Sequence, residues 1–173
     1  MATSPALLSI EEYLRSSYDP DADYVDGEIQ ERHLGEYEHG KIQGWIFQIF
    51  NLNRRSWATD VVVEQRIRIN SSRVRVCEAA VLRAGAPRER VAQSAPLICI
   101  EILSPEDRIS RAERVLADYF AMGVPNIWLI DPIRRTAHTY DGTGLRVADP
   151  YNLTVPGTPI HLDLTEAFAA LDE

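Results

Sequence analysis

The stretch "LICIEIL" (residues 97–103) is apolar at every position except Glu101. A run with no polar side reads as a central strand covered on both faces. It ends at "SPEDR" (104–108), where Ser104 and Pro105 stop the strand. The residues from Ile109 to Met122 then predict a helix that closes at Gly123, followed by a second buried strand, "NIWLID" (126–131). Strand, helix and strand in succession imply a parallel pair. Upstream, "VVVEQRIRI" (61–69) and "RVRVCEAAVL" (73–82) flank the turn residues "NSS" and predict an antiparallel hairpin. Before the hairpin, Ile42, Trp45, Ile46, Ile49 and Phe50 recur at helical spacing between residues 36 and 53.

The outer segments are shorter. "SIEEYL" suits a helix capped by Ser9 with Glu12 at the capping-box position, and "VDGEI" predicts a small hairpin. "TAHTYDG" continues the sheet past residue 131 and "LTEAFAAL" forms a last helix. The fold class is α/β (α+β): a mixed sheet flanked by helices, in the order helix, three strands, helix, strand. With 173 residues, a single domain over 1–173 is expected: an N-terminal helix and hairpin at 9–33, a core at 36–131, and C-terminal strands and helix at 135–172.

No apolar run approaches the roughly 20 residues of a membrane-spanning helix. The start, "MATSPALLSIEEYL", has no basic region or long apolar core of a signal peptide, so a cytoplasmic protein without membrane association is expected. Cys77 and Cys99 both fall in strands and read as buried free thiols. The net charge of −8 argues against attraction of the whole surface to nucleic acid. Residues 54–111, however, hold eleven arginines against seven acids, and lysine occurs once, at Lys41.

Glu78 raises the same question as Glu101. By strand parity it shares a face with Val74, Val76 and Ala80, while Arg73 and Arg75 point the other way; on that reading Cys77 and Cys99 face opposite ways. An ionised carboxylate in an apolar strand must be paired, bind a cation or take up a proton. Two on one face invite a divalent ion with a preference for hard oxygen ligands. Alternatively each is neutralised by arginine, for which Arg108, Arg111 and Arg114 follow closely. If the two acids crowd each other, Glu78→Gln is expected to raise the melting temperature.

The pieces "DYVDGEI", "YEHGKI", "VVVEQRIRI", "RVRVCEAAVL", "LICIEILSPEDR" and "YFAMGVPNIWLIDP", in this order, resemble the PD-(D/E)XK restriction-endonuclease-like superfamily, and within it a bacterial "putative restriction endonuclease" family. The resemblance implies a magnesium- or manganese-dependent endonuclease that acts on DNA as a homodimer. By position it implies Glu78 and Glu101 as metal ligands, and Glu38 and His39 as an accessory pair at the start of the first core helix. It also implies a lysine on the helix after "SPEDR", which polarises or deprotonates the attacking water.

The chain departs from that pattern in three places. Glu78 stands where the family has Asp, Cys77 replaces the preceding Pro, and the lysine position falls on Arg114 or Val115. Arginine stabilises developing phosphate charge but stays protonated and cannot act as a general base. Two functions are therefore weighed: a metal-dependent nuclease using Glu78, Glu101 and Arg114 with Glu38 or His39, or a catalytically degenerate member that binds nucleic acid or a protein.

Overall fold

The computed structural model describes residues 7–33, 35–149 and 151–173; residues 1–6 of the expected domain, which open the stretch read for a signal peptide, lie outside them. Its elements are α1 (Ile10–Arg15), β1 (Asp23–Val25), β2 (Glu28–Gln30), α2 (Tyr37–Leu52), β3 (Thr59–Asn70), β4 (Arg73–Arg83), β5 (Val91–Ala92), β6 (Ile98–Ile102), α3 (Ile109–Met122), β7 (Asn126–Asp131), β8 (Thr136–Tyr140), β9 (Leu145–Val147), β10 (Asn152–Thr154), β11 (His161–Asp163) and α4 (Thr165–Ala169). Ser9 and Glu12 form the expected capping box on α1. Asp26 and Gly27 take positive φ in the tight turn between β1 and β2, as a two-residue hairpin loop requires.

The large sheet is mixed. β3 and β4 pair antiparallel along most of their length, β6 and β7 pair parallel, and β8 and β9 extend the sheet antiparallel. Two cores lie on its faces. On one, Ile42, Ile46 and Phe50 of α2 meet Ala79, Val81, Ile98, Ile100, Trp128 and Ile130, with the β10–β11 hairpin and α4 completing the layer. On the other, Val115, Leu116 and Tyr119 of α3 meet Cys77, Ala80, Cys99, Ile127 and Leu129. β6 and β7 are thus covered on both sides, which explains why their sequences have no polar face.

The alternation along β4 breaks once. Cys77 and Ala80, three residues apart, enter the same core, whereas strict parity would separate them. The break coincides with Glu64 on β3: the ladder pairs Val63 with Ala79 and Gln65 with Cys77 but skips Glu64 and Glu78, and Glu64 holds a φ of 52°. A non-glycine residue there is strained, as at a β-bulge. The parity reading is corrected accordingly: Glu78 does not share a face with Ala80, and Cys77 and Cys99 lie on the same side as free thiols.

β4 has an unusual edge. β3 takes one side of it; on the other, β1 pairs at Arg73 and Val74 while β6 pairs at Ala79 to Val81. Residues 75–78 face the gap between β1 and β6. There Asp23 Oδ1 accepts the Val76 backbone N–H at 2.8 Å in place of a strand carbonyl. Arg75, only 3% exposed, donates to Asp23 (2.9 Å) and to Asp118 of α3 (2.8 Å), and Arg73 adds a bond to Asp118 at 2.7 Å. Arg73 and Arg75 do point away from Glu78, as strand parity predicts. Removing one partner from a buried ion network leaves the rest uncompensated, at about 3–5 kcal/mol. Arg75→Ala is therefore expected to lose stability of that order in urea denaturation; a loss under ~1 kcal/mol would show that the network does not hold β1, β4 and α3 together.

Candidate functional site

The gap opens into a narrow cleft of about 50 Å³ lined by Asp23, Arg32, Val76, Glu78, Glu101 and Val115, among others. The β4–β6 register explains the position of the two acids. It pairs Ala79 with Ile100, and one further step along it sets Glu78 opposite Glu101. The strands no longer pair there, so both side chains flank the opening.

The carboxylates reach toward different helices. Glu78, 7% exposed, accepts from Gln43 Nε2 of α2 at 3.0 Å and lies 3.3 Å from His39 Nε2 of the same helix. Its other oxygen accepts from Arg32, which comes from the segment after β2. Arg32 also donates to Glu64 at 2.5 Å, and Gln43 donates to the second Glu64 oxygen at 3.0 Å. Glu101 instead accepts from the Tyr119 hydroxyl of α3 at 2.6 Å. His39 is seated tightly: a Cβ added at Gly35 would lie 2.6 Å from its Nδ1, so the approach to α2 requires glycine at that position.

The surroundings divide the two acids electrostatically. Burial pushes Glu78 up, but the hydrogen bond with His39 and the charge of Arg32 outweigh it and hold the carboxyl below its ordinary value. Burial pushes Glu101 well above its ordinary value, and neighbouring Cys77 and Glu78 push it further than Arg32 and Tyr119 pull it back. Glu64 is raised by burial and by Glu78 against the opposing pull of Arg32. Glu78 is thus the more readily ionised of the two acids, and Glu101 the one whose surroundings favour the proton.

Of the residues expected from sequence, Glu78, Glu101 and His39 come together. Arg114 does not: it is exposed on α3 and outside the cleft lining, and Val115 takes the wall position. Glu38 is half-buried and makes no hydrogen bond or ion pair with these residues among those described. Neither Arg108, Arg111 nor Arg114 neutralises an acid of the site; Arg111 bonds to the Glu31 carbonyl at 2.5 Å. Sequence reading missed Arg32, Gln43, Glu64 and Tyr119. The Glu64–Glu78 pairing was readable from the hairpin register, whereas Arg32 lies in an irregular segment with no pattern to mark it.

These residues do not fit a resident divalent metal. Both oxygens of Glu78 already accept from donors, a guanidinium stands where a cation would bind it, and Glu101 is turned to the Tyr119 hydroxyl. Among the described residues no group of three or more His, Cys, Asp and Glu side chains is arranged to hold an ion. The expectation of two acids converging on one magnesium or manganese is thus not matched by the geometry. No lysine reaches the cleft lining either.

Comparison with known proteins agrees with the architecture. The model of the Uma2 family, described as "Putative restriction endonuclease", matches residues 10–166. A crystal structure of a "putative nuclease belonging to DUF820" from Anabaena variabilis superposes with a TM-score of 0.81 at 23% identity, covering 95% of this chain and 99% of that one. No curated protein matches.

The two acids carry opposite stability signatures. Because the folded-state pKa of Glu101 lies above its ordinary 4.5, the folded chain holds the extra proton, and stability falls as pH rises from 4.5 through the raised value. Glu101→Gln removes that loss. It is expected to melt above wild type at pH 7.5, by ~2–4 °C for each kcal/mol relieved, with the advantage gone near pH 4. Glu78→Gln deprives Arg32 and His39 of a charged acceptor and is expected to melt lower at pH 7.5, the reverse of the rise expected from crowding alone. Thermal melts of both variants across pH check this; equal signs at pH 7.5 would refute the division.

Proposed function

The chain belongs to the Uma2 family described as "Putative restriction endonuclease", and from that premise we propose that it is a member of the nuclease fold that holds nucleic acid without hydrolysing it. One observation carries the proposal: the Arg32 guanidinium occupies the cation position beside Glu78. The position in question for lysine supplies no base, since Val115 faces the cleft and Arg114 lies outside it. Hydrolysis of a phosphodiester at this cleft would need an activated water; Arg32 and Val115 cannot take its proton, and both oxygens of Glu78 are engaged by Arg32 and Gln43.

Charge favours a binding surface away from the cleft. The hollow beside it, about 610 Å³, is lined by Asp19, Glu31, Glu36 and Glu106 against Arg32 and His33, an acidic approach that repels a phosphate backbone. A broader groove of about 1000 Å³ lies where β3 and β4 meet the loop after β4. There Arg54, Arg55, Arg83 and Arg88 stand against Asp60 and Glu89 over an apolar floor that includes Val62 and Leu82. Arginines in such a groove contact phosphates and fix a polynucleotide without reading its sequence.

The metal-dependent DNA endonuclease is the second reading, favoured by the flanking of one cleft by Glu78 and Glu101. It would use Glu78 and Glu101 for magnesium or manganese, His39 beside them, and two copies of the chain on one duplex. Fluorescence anisotropy with a labelled duplex, alongside a cleavage assay in magnesium and in manganese, separates the two. The binding reading expects affinity that falls with salt and no cleavage. Arg83→Ala with Arg88→Ala should flatten the salt slope by about two, roughly one for each arginine withdrawn from the phosphate backbone. Metal-dependent cleavage by wild type, abolished in Glu101→Ala, would replace the proposal with the nuclease; absence of both binding and cleavage would remove nucleic acid as the partner.

A further inference from the structure

Glu78 on β4 and Glu101 on β6 line the cleft, and Glu64 on β3 stands outside it, joined to Glu78 through Arg32. Glu64 is the member that neither the family resemblance nor the sequence pattern assigns to the site. Its strained φ of 52° and its omission from the β3–β4 ladder turn its carboxylate out of the strand row to the Arg32 guanidinium. Strain in a strand interior persists where surrounding contacts over-determine it. Here those contacts are two: Arg32 on one oxygen, Gln43 on the other. Gln43 bonds Glu78 as well, so the amide of α2 and the guanidinium bracket the same pair of acids.

Arg32 is held as a ligand is held. Its side chain is 13% exposed and its two terminal nitrogens go separately to Glu64 and Glu78. A planar guanidinium with two fixed donors bridges two carboxylates in the way a divalent ion otherwise does, without a hydration shell to shed.

We propose that Arg32 is the built-in cation of this site, clamping Glu64 to Glu78 in place of a metal and closing the acid cluster to divalent ions. This rests on the reading that the cleft does not hydrolyse phosphodiesters, and it has a consequence of its own: the chain needs no metal to be stable, and removing one side chain creates a metal site.

The test uses the full chain with manganese as the probe, read by thermal melting and by the electron paramagnetic resonance signal of free manganese. Wild type should melt at the same temperature with millimolar manganese or with EDTA, and should not deplete the free-manganese signal. Arg32→Ser should melt lower than wild type without metal and recover on the order of 5 °C with manganese well above its dissociation constant. Adding Glu64→Gln to that variant should abolish the recovery. Low-millimolar guanidinium at constant ionic strength should also raise the melting temperature of Arg32→Ser while leaving wild type unchanged or lower.

Saturable manganese binding by wild type that Glu78→Gln removes would overturn the proposal, as would a folded Arg32→Ser that gains nothing from manganese or guanidinium. Should Arg32→Ser fail to fold, the wild-type measurement decides alone. The outcomes separate from those of the functional reading: manganese binding without cleavage sinks only this inference, and cleavage by a chain indifferent to added manganese and EDTA sinks only that one.

Discussion

The structure depends on a stretch of β4 that has a strand on one side only. Between the start of β1 and the end of β6, residues 75–78 present backbone groups and side chains to a gap. Buried backbone donors must find partners, so side chains do there what a neighbouring strand does elsewhere. Asp23 bonds the Val76 N–H, Arg75 ties Asp23 to Asp118, and Arg32 joins Glu78 to Glu64. The same gap that makes room for a cleft therefore imposes two ion networks. One faces α3 and is structural, and the other faces α2 and contains the family's acid position.

Much of this architecture was legible in the sequence because its signals are periodic. The helical recurrence from Ile42 to Phe50, the two-faced apolar runs at 97–103 and 126–131, and the stop at Ser104 each rest on burial of a repeating side. The helix over 109–122 and the strand over 126–131 have the predicted bounds. The site was less legible. Strand parity assumes regular pleating, and the irregularity at Glu64 and Glu78 breaks it where the answer matters, sending Cys77 and Ala80 to one side. Arg32 lies 46 residues from Glu78 in a segment without secondary structure, and such a partner leaves no mark in local pattern. β5 escaped, and the strands expected within 135–172 could not be placed one by one as β9, β10 and β11, for a related reason: two or three residues are too few to show alternation.

The substitutions against the family pattern make joint physical sense. A lysine at the wall of the cleft would supply positive charge; with Val115 there, that source is gone. Glu78 and Glu101 in a small cleft, with Glu64 next to Glu78, cannot all ionise without a cation close by. The chain meets this in two ways: Arg32 bridges the Glu64–Glu78 pair and offsets part of its charge, and Glu101, bonded to Tyr119, favours its neutral form. The longer side chain of Glu78 also lets its carboxylate reach α2, where His39 and Gln43 wait.

On the proposed reading, such a site trades what hydrolysis demands for what holds a fold together. A guanidinium stabilises charge but neither generates hydroxide nor leaves on demand, because its stem fixes it to the backbone. Burial works against the charge of Arg32, but Glu78 and Glu64 outweigh it and raise the guanidinium further from deprotonation. An ion bound from solution can be exchanged with substrate and concentration; a side chain cannot. The binding proposed for this chain then falls to another surface, the groove along β3 and β4, whose arginines over an apolar floor offer a polyanion complementary charge.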